Sequence, residues 1–330
     1  MKKFTSILSL LLVCVLLCSC GAFQVKNVSV IATVNGEDIL EEEFNYFLLV
    51  AQQTIIANAG ESAYAEDFWT TTEVDGKTVG DLAKENALNE AIKYTLISQK
   101  AKEMGISSDS AEAKEQIRTA LSSAQTLVDQ FGLSKDAIET VLEKLYLESM
   151  LLQKFVDDGE IDISDENLKK TYEENFRTIK HILISYTDPN DGSEIYTPEE
   201  ASQIIASIKQ QLDSGEDFDA LMNYNSMDPG LPSAPDGYTF TNNGTMVASF
   251  ESAAFALEIG AISDIVPSSY GYHILKRENL ISYEKFLETN DKSAVSSILE
   301  LNYEDNLVNE LKAKASIERN EKVFGKATLF

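Results

Sequence analysis

Across its first half the chain repeats apolar residues three and four positions apart, the spacing of one helix face. Phe44, Phe47, Leu48, Ala51 and Ile55 define such a face and predict a helix over 41–58. A longer helix is predicted from Thr78 to Met104, closed by Gly105 where a left-handed cap is favoured. Two more are expected near 109–130 and 134–157, separated by Gly132, with Ser134 as N-cap of the second. Ser164 caps a further helix that ends near Asn175. Ahead of them all, residues 28–34 alternate like a strand and run into Asn35-Gly36, a hairpin signal. Residues 59–77 carry Gly, Asp and a run of three Thr and read as a loop, anchored by Trp69 packing inward.

The period changes at residue 177. A strand is predicted over 177–186, then a turn-rich loop at Asp188-Pro189-Asn190-Asp191-Gly192. Thr197-Pro198-Glu199-Glu200 combines an N-cap, a proline at the first helical position and a capping-box Glu, so a helix should run to about Ser214. A shorter helix follows from Asp217, then a loop over 227–237 rich in Pro, Gly and Asp. A helix near Ala248–Leu257 precedes two strands near 264–267 and 272–278. Helical spacing returns over 290–314, with Val295, Ile298, Leu299, Leu301, Leu307, Val308 and Leu311 as its apolar positions. All six prolines, from Pro189 to Pro267, lie in the middle segment. Proline is excluded from helix interiors, so a mostly helical domain is interrupted by a mixed one. No internal repeat or low-complexity segment is present.

At 330 residues the chain is long enough for two domains. Its 54 acidic against 27 basic residues give a net charge of −27, spread along the helices. That excludes the basic footprint a nucleic-acid binder needs.

The N-terminus has the form of a secretory leader. Lys2 and Lys3 precede an apolar stretch from Ile7 to about Leu17, too short for a permanent span. It ends Leu17-Cys18-Ser19-Cys20-Gly21, which resembles the lipobox of bacterial lipoproteins. The resemblance implies a signal peptide over 1–19, Cys20 as the lipidated first mature residue, and a tether over 20–27. An ordinary cleaved signal with incidental cysteines is the plainer alternative. All three cysteines (Cys14, Cys18, Cys20) lie in this leader, so the mature chain has no disulfide, thiol nucleophile or cysteine metal site.

The chain has only two histidines, His181 and His273, one in each of the runs Lys180-His181-Ile182-Leu183-Ile184 and Tyr270-Gly271-Tyr272-His273-Ile274-Leu275-Lys276. Taken alone, each could be a satisfied core histidine. Between them lie Ser226-Met227-Asp228 and Gly244-Thr245-Met246-Val247-Ala248-Ser249-Phe250-Glu251-Ser252-Ala253-Ala254-Phe255. These four motifs, in this order, resemble the parvulin family of peptidyl-prolyl isomerases. With the lipobox, Val34-Asn35-Gly36-Glu37 opening a helical region and a closing helix, the whole chain resembles the PrsA/SurA-type foldases.

The resemblance implies an α+β fold: a mixed-sheet parvulin domain (177–278) inserted between the N-terminal part (28–176) and the returning C-terminal helix (279–330) of a mostly helical SurA-N-like chaperone domain. It implies His181, Asp228 and His273 as catalytic residues. Met246, Phe250, Tyr238, Ser268 and Tyr270 fall on substrate-binding positions, Met246 and Phe250 forming the proline pocket on one helical face. Asp228 beside Pro229-Gly230 also suits a plain turn, and Met246 and Phe250 also suit an ordinary core. The usual Gly-rich stretch before the Met is here Ala234-Pro235-Asp236-Gly237-Tyr238-Thr239-Phe240, which leaves the register of Tyr238 open. No cofactor and no metal are implied. The expected partners are unfolded or partly folded secreted polypeptides and, through lipid on Cys20, the extracytoplasmic face of a bacterial cell membrane; a homodimer is possible. Alternatives are a holdase whose parvulin domain is inactive, a solute-binding lipoprotein, which would need repeated βαβ units, and a metalloprotein using the two histidines.

Overall fold

The computed structural model describes residues 29–65, 67–188 and 191–329. The leader, Cys20, the tether to residue 27, and Pro189 and Asn190 lie outside the described residues. In chain order the elements are β1 (Val30–Val34), β2 (Glu37–Leu40), α1 (Glu41–Ala59), a 3-10 turn (Gly60–Tyr64), α2 (Phe68–Thr71), β3 (Glu73–Val74), β4 (Lys77–Thr78), α3 (Val79–Glu103), α4 (Ala111–Ser123), α5 (Gln125–Phe131) and α6 (Lys135–Asp157). Then come α7 (Asp165–Asn175), β5 (Phe176–Ser185), α8 (Pro198–Asp213), α9 (Phe218–Asn225), β6 (Tyr238–Thr241), α10 (Ala248–Ala256), β7 (Val266–Ser268) and β8 (Gly271–Glu278). The chain closes with α11 (Tyr283–Phe286), α12 (Ser293–Lys314), β9 (Ile317–Arg319) and α13 (Glu321–Phe324). Among the described residues no helix is long and apolar enough to cross a membrane.

Contacts divide the chain into two compact units, residues 1–162 with 299–330, and residues 163–298. In the first, Asn35 and Gly36 adopt the positive φ values (52° and 84°) that a tight hairpin between β1 and β2 requires. β9 pairs with β1, so the C-terminal stretch completes a three-stranded sheet with the N-terminal hairpin. Helices α1, α3, α4 and α6 supply its core, with Phe44, Leu48, Leu96, Ile138 and Leu142 fully buried. The N-caps Thr78, Ser110 and Ser134 each accept the backbone N–H three residues on. The stretch expected as one helix over 109–130 is broken at Ala124 into α4 and α5. The 59–77 loop contains a 3-10 turn, one helical turn and a two-residue hairpin; Trp69 donates its indole N–H to the Ala63 carbonyl at 3.1 Å.

The second unit is one four-stranded sheet, ordered β6-β5-β8-β7, with helices on both faces. Its pairings are all antiparallel rather than mixed. The strand β6 departs from the expected order of elements: Tyr238–Thr241 is extended because it pairs with Phe176–Ile179 at the start of β5. Ile182, Ile184 and Ile274 point to the face covered by α8 and α9, against Ile205, Ile208, Phe218 and Met222. Ile179 and Leu275 point to the other face, against Phe240, Phe250 and Ala254. The capping box at α8 is formed: Glu200 N–H donates to Thr197 Oγ1, and Thr197 N–H donates to the Glu200 carboxylate.

The unit extends beyond 177–278 at both ends. Tyr172 of α7 is fully buried, its ring 4.8–5.5 Å from those of Phe176, Tyr283 and Phe286, and its hydroxyl donates to the Ile281 carbonyl at 3.0 Å. This aromatic cluster ties the segments before β5 and after β8 together. Replacing Tyr172 by Ala should destabilise the unit by about 3–5 kcal/mol, and by Phe by about 1 kcal/mol. Hydrogen exchange of the β5 and β8 amides in the full chain measures both.

Candidate active site

β5 and β8 pair with Ile182 opposite Ile274, so His181 faces Leu275 and Leu183 faces His273. Directly opposed residues share a face of the sheet, so both imidazoles emerge on the same side, diagonally adjacent. Their Nδ1 atoms are 3.2 Å apart and the rings nearly parallel at 16°. Both are buried, at 8% and 4% exposure.

Asp228 reaches His181 because β6 covers β5 only as far as Ile179. Farther along, the Leu183 N–H donates to Ser226 Oγ and its carbonyl accepts from the Met227 N–H. That short join carries Asp228 Oδ2 to 3.1 Å from His181 Nε2. The same oxygen accepts the Tyr238 hydroxyl at 2.7 Å, while Oδ1 accepts the Gly230 N–H at 3.1 Å. Asp228 therefore forms its turn and contacts the histidine at once. Gly230 is essential to this packing, since a Cβ there would lie 2.0 Å from the Tyr238 hydroxyl oxygen.

At the other end Ser268 Oγ lies 2.7 Å from His273 Nε2 and accepts the Tyr270 N–H at 3.1 Å. Gly271 permits the turn that places Ser268: its φ is +144°, and a Cβ would lie 2.1 Å from the Ile184 carbonyl oxygen. With both rings neutral the donors and acceptors order themselves one way. Ser268 O–H donates to His273 Nε2, His273 Nδ1–H donates to His181 Nδ1, and His181 Nε2–H donates to Asp228. A proton added to the His181 ring would reverse the central bond and turn Ser268 from donor to acceptor.

Burial, and then the neighbouring His181, push His273 down from 6.5 to about 3 against the opposing pull of Asp228. Burial alone would raise the Asp228 carboxyl; hydrogen bonds from His181, Tyr238 and the Gly230 amide outweigh it and hold it at about 2. Burial and the bond to Asp228 keep Tyr238 protonated well above the ordinary phenol range.

Phe250 packs against the imidazole pair. It is 4% exposed, with its ring edge-on to both imidazoles at 5.1 and 5.4 Å between centroids. Met246 is half-buried against the same cluster. It does not share a helical face with Phe250, because α10 begins after Val247 and Met246 belongs to the preceding loop. That loop is bound by Glu251, whose two carboxylate oxygens accept the Gly244 and Met246 N–H groups. Tyr238 lies at the site with its ring 5.7 Å from His181 and its hydroxyl committed to Asp228. Ser268 is committed to His273. The Tyr270 side chain is 61% exposed, outside the buried cluster, although its backbone supports Ser268. The sequence reading missed the contacts of Glu251; a carboxylate in the first turn of a short apolar helix was the available signal. Among the described residues no group of three or more His, Cys, Asp and Glu is arranged to hold a metal ion.

Comparison with known proteins matches residues 181–279 to the PPIC-type PPIase domain and residues 2–142 to the SurA-like N-terminal domain. Foldase protein PrsA of Caldanaerobacter subterraneus subsp. tengcongensis is 31% identical, over 84% of this chain and 83% of its own length. This chain belongs to the PrsA foldase family. PrsA of Halalkalibacterium halodurans is 29% identical over 70% of each chain. The crystal structure of the peptidylprolyl isomerase PrsA from Bacillus anthracis is 24% identical, covering 69% of this chain and 96% of that one, with a TM-score of 0.34. As a PrsA-family foldase the chain carries a parvulin-type peptidyl-prolyl isomerase domain and a helical SurA-like region.

The depressed histidine links this buried cluster to pH. The unfolded chain protonates His273 near its ordinary value of 6.5, the folded chain only near 3. Between those values the unfolded state holds more protons, so stability falls as pH drops from about 6.5 toward 3. Asp228 adds a second loss below about 4, as its folded value of about 2 is approached. His273→Gln should remove the first loss and flatten the pH dependence of the unfolding midpoint between 6.5 and 4. Gly230→Ala should break the Tyr238–Asp228 bond, read as a Tyr238 phenol that titrates at lower pH than in the parent chain.

Proposed function

We propose that this site isomerises X-Pro bonds in secreted polypeptides at the outer face of a bacterial cell membrane, with the chain held there by lipid on Cys20. The observation that carries the catalytic part is the unbroken chain Ser268–His273–His181–Asp228 against the wall made by Phe250 and Met246. The PrsA foldase relatives support polypeptide clients, and the lipobox-like leader supports the location.

Rotation about a prolyl amide meets a barrier of about 18–20 kcal/mol from C–N double-bond character. No bond need break. The site must hold the pyrrolidine ring and bind the twisted amide better than the planar one. Met246 and Phe250 supply the apolar contact for the ring. The two imidazoles orient each other, set the polarity beneath the amide, and attack nothing. Tyr238 and Ser268 act through Asp228 and His273, and Tyr270 borders the site where the chain flanking proline would pass. The helical unit holds unfolded segments while the proline is processed. The competing reading is a holdase with a silent parvulin domain.

A proline-peptide isomerisation assay separates these readings. Met246→Ala should lower kcat/KM about tenfold or more, the loss of about 1.5–3 kcal/mol of apolar contact, and His181→Ala should lower kcat. Wild-type rates equal to buffer would leave only the binding role. After β5 the loop presents Asp188, Asp191 and Glu194, which repel a phosphate dianion. Phosphorylating the residue before proline should therefore give no gain in kcat/KM, and a large gain would overturn that assignment.

A further inference from the structure

We infer that Glu251 is a positioning residue that sets the width of the proline pocket by clamping the loop that carries Met246 to the helix that carries Phe250. The inference rests on the pocket assigned above to Met246 and Phe250 and deepens it.

Met246 precedes α10 and has no strand or helix of its own to hold it. The segment 243–247 turns through Gly244 at φ +79°. Asn243 Oδ1 accepts the Thr245 N–H at 3.2 Å and closes the turn on its first side. Glu251 closes the second. Its Oε2 accepts the Gly244 N–H and its Oε1 the Met246 N–H, both at 3.1 Å. The side chain is 5% exposed. A buried carboxylate is costly unless its oxygens are satisfied, and here each takes one amide. Val247, the N-cap of α10, makes no side-chain cap bond. A negative group in the first turn also suits the positive end of the helix.

Phe250 is the residue before Glu251, and the pocket's other wall is the residue whose amide Glu251 holds. One side chain therefore ties both walls to one frame. Charge-assisted hydrogen bonds are stronger than neutral ones and directional, so the Met246 backbone has a defined distance from α10. Glutamine in this place would keep one acceptor and turn a donor NH2 toward the second amide. It would release one arm of the clamp at almost unchanged volume.

The test uses the full chain, with Glu251→Gln, Glu251→Ala and the control Met246→Ala. Each is assayed on a proline peptide and on the same peptide carrying pipecolic acid, whose ring is one methylene larger. A formed pocket discriminates one methylene by about 10–200-fold. Glu251→Gln should raise KM about tenfold with kcat within about twofold. It should lower the proline-to-pipecolate ratio of kcat/KM at least about threefold, and leave the pH profile of kcat unchanged. Wild-type KM and ratio in folded Glu251→Gln would overturn the inference. So would loss of the near-ultraviolet circular dichroism of the parvulin domain in both Glu251 variants, which would make the carboxylate a stability element. If Met246→Ala leaves KM and the ratio untouched, the pocket assignment itself fails. If Met246→Ala raises KM and Glu251→Gln does not, only the clamp fails.

Discussion

Ile182 lies opposite Ile274, and that single register decides what each face of the central strands does. Side chains alternate along a strand, so a slip of one residue would exchange the faces. In the observed register the isoleucines enter the core under α8 and α9, and both histidines enter the opposite face. The core and the site are thus one decision. Burying Ile182, Ile184 and Ile274 drives the pairing, and the imidazole pair follows from it. The polar pair does not have to supply the energy that holds it together.

The same arrangement explains how two imidazoles and a carboxylate remain buried in a small domain. Each polar atom in the row has a partner, from Ser268 through the histidines to Asp228, and Asp228 draws on three donors. Satisfied networks of this kind hold one geometry, whereas an unpaired member costs the full desolvation penalty. The helical unit uses the same device for structure. Lys144 is buried against Glu43 and Thr95, and burial raises Glu43 even though Lys144 opposes the shift. In the parvulin domain the buried polar row lies beside a half-buried methionine, so its order is coupled to an accessible surface.

The two ends of the described chain meet in one sheet. β1 pairs with β9, and Asn35 exchanges hydrogen bonds with Ser316 through its backbone and side chain. Residues 163–298 are therefore an insertion within the helical unit, and their own ends are joined by the aromatic cluster around Tyr172. Each unit closes on itself through residues distant in sequence.

Much of this was legible in the order of residues. Helical spacing located α1, α3 and α6, and local capping chemistry placed ends at Ser134 and Gly105. The four motifs around His181, Asp228, Met246 and His273 pointed to the parvulin domain. Local signals of this kind depend on neighbours a few positions away, and a single sequence contains them. What required the tertiary structure depended on distant partners. Tyr238–Thr241 is a strand only because the start of β5 offers it an edge, and Ile317–Arg319 only because β1 does. Asp228 became a partner of His181 because Leu183 holds Ser226 and Met227. Spacing suggested that Met246 and Phe250 share a helix face; the helix instead starts at Ala248, two residues after Met246, whose amide Glu251 fastens. Helix periodicity says which residues can align, but hydrogen bonds made in three dimensions decide where the helix begins.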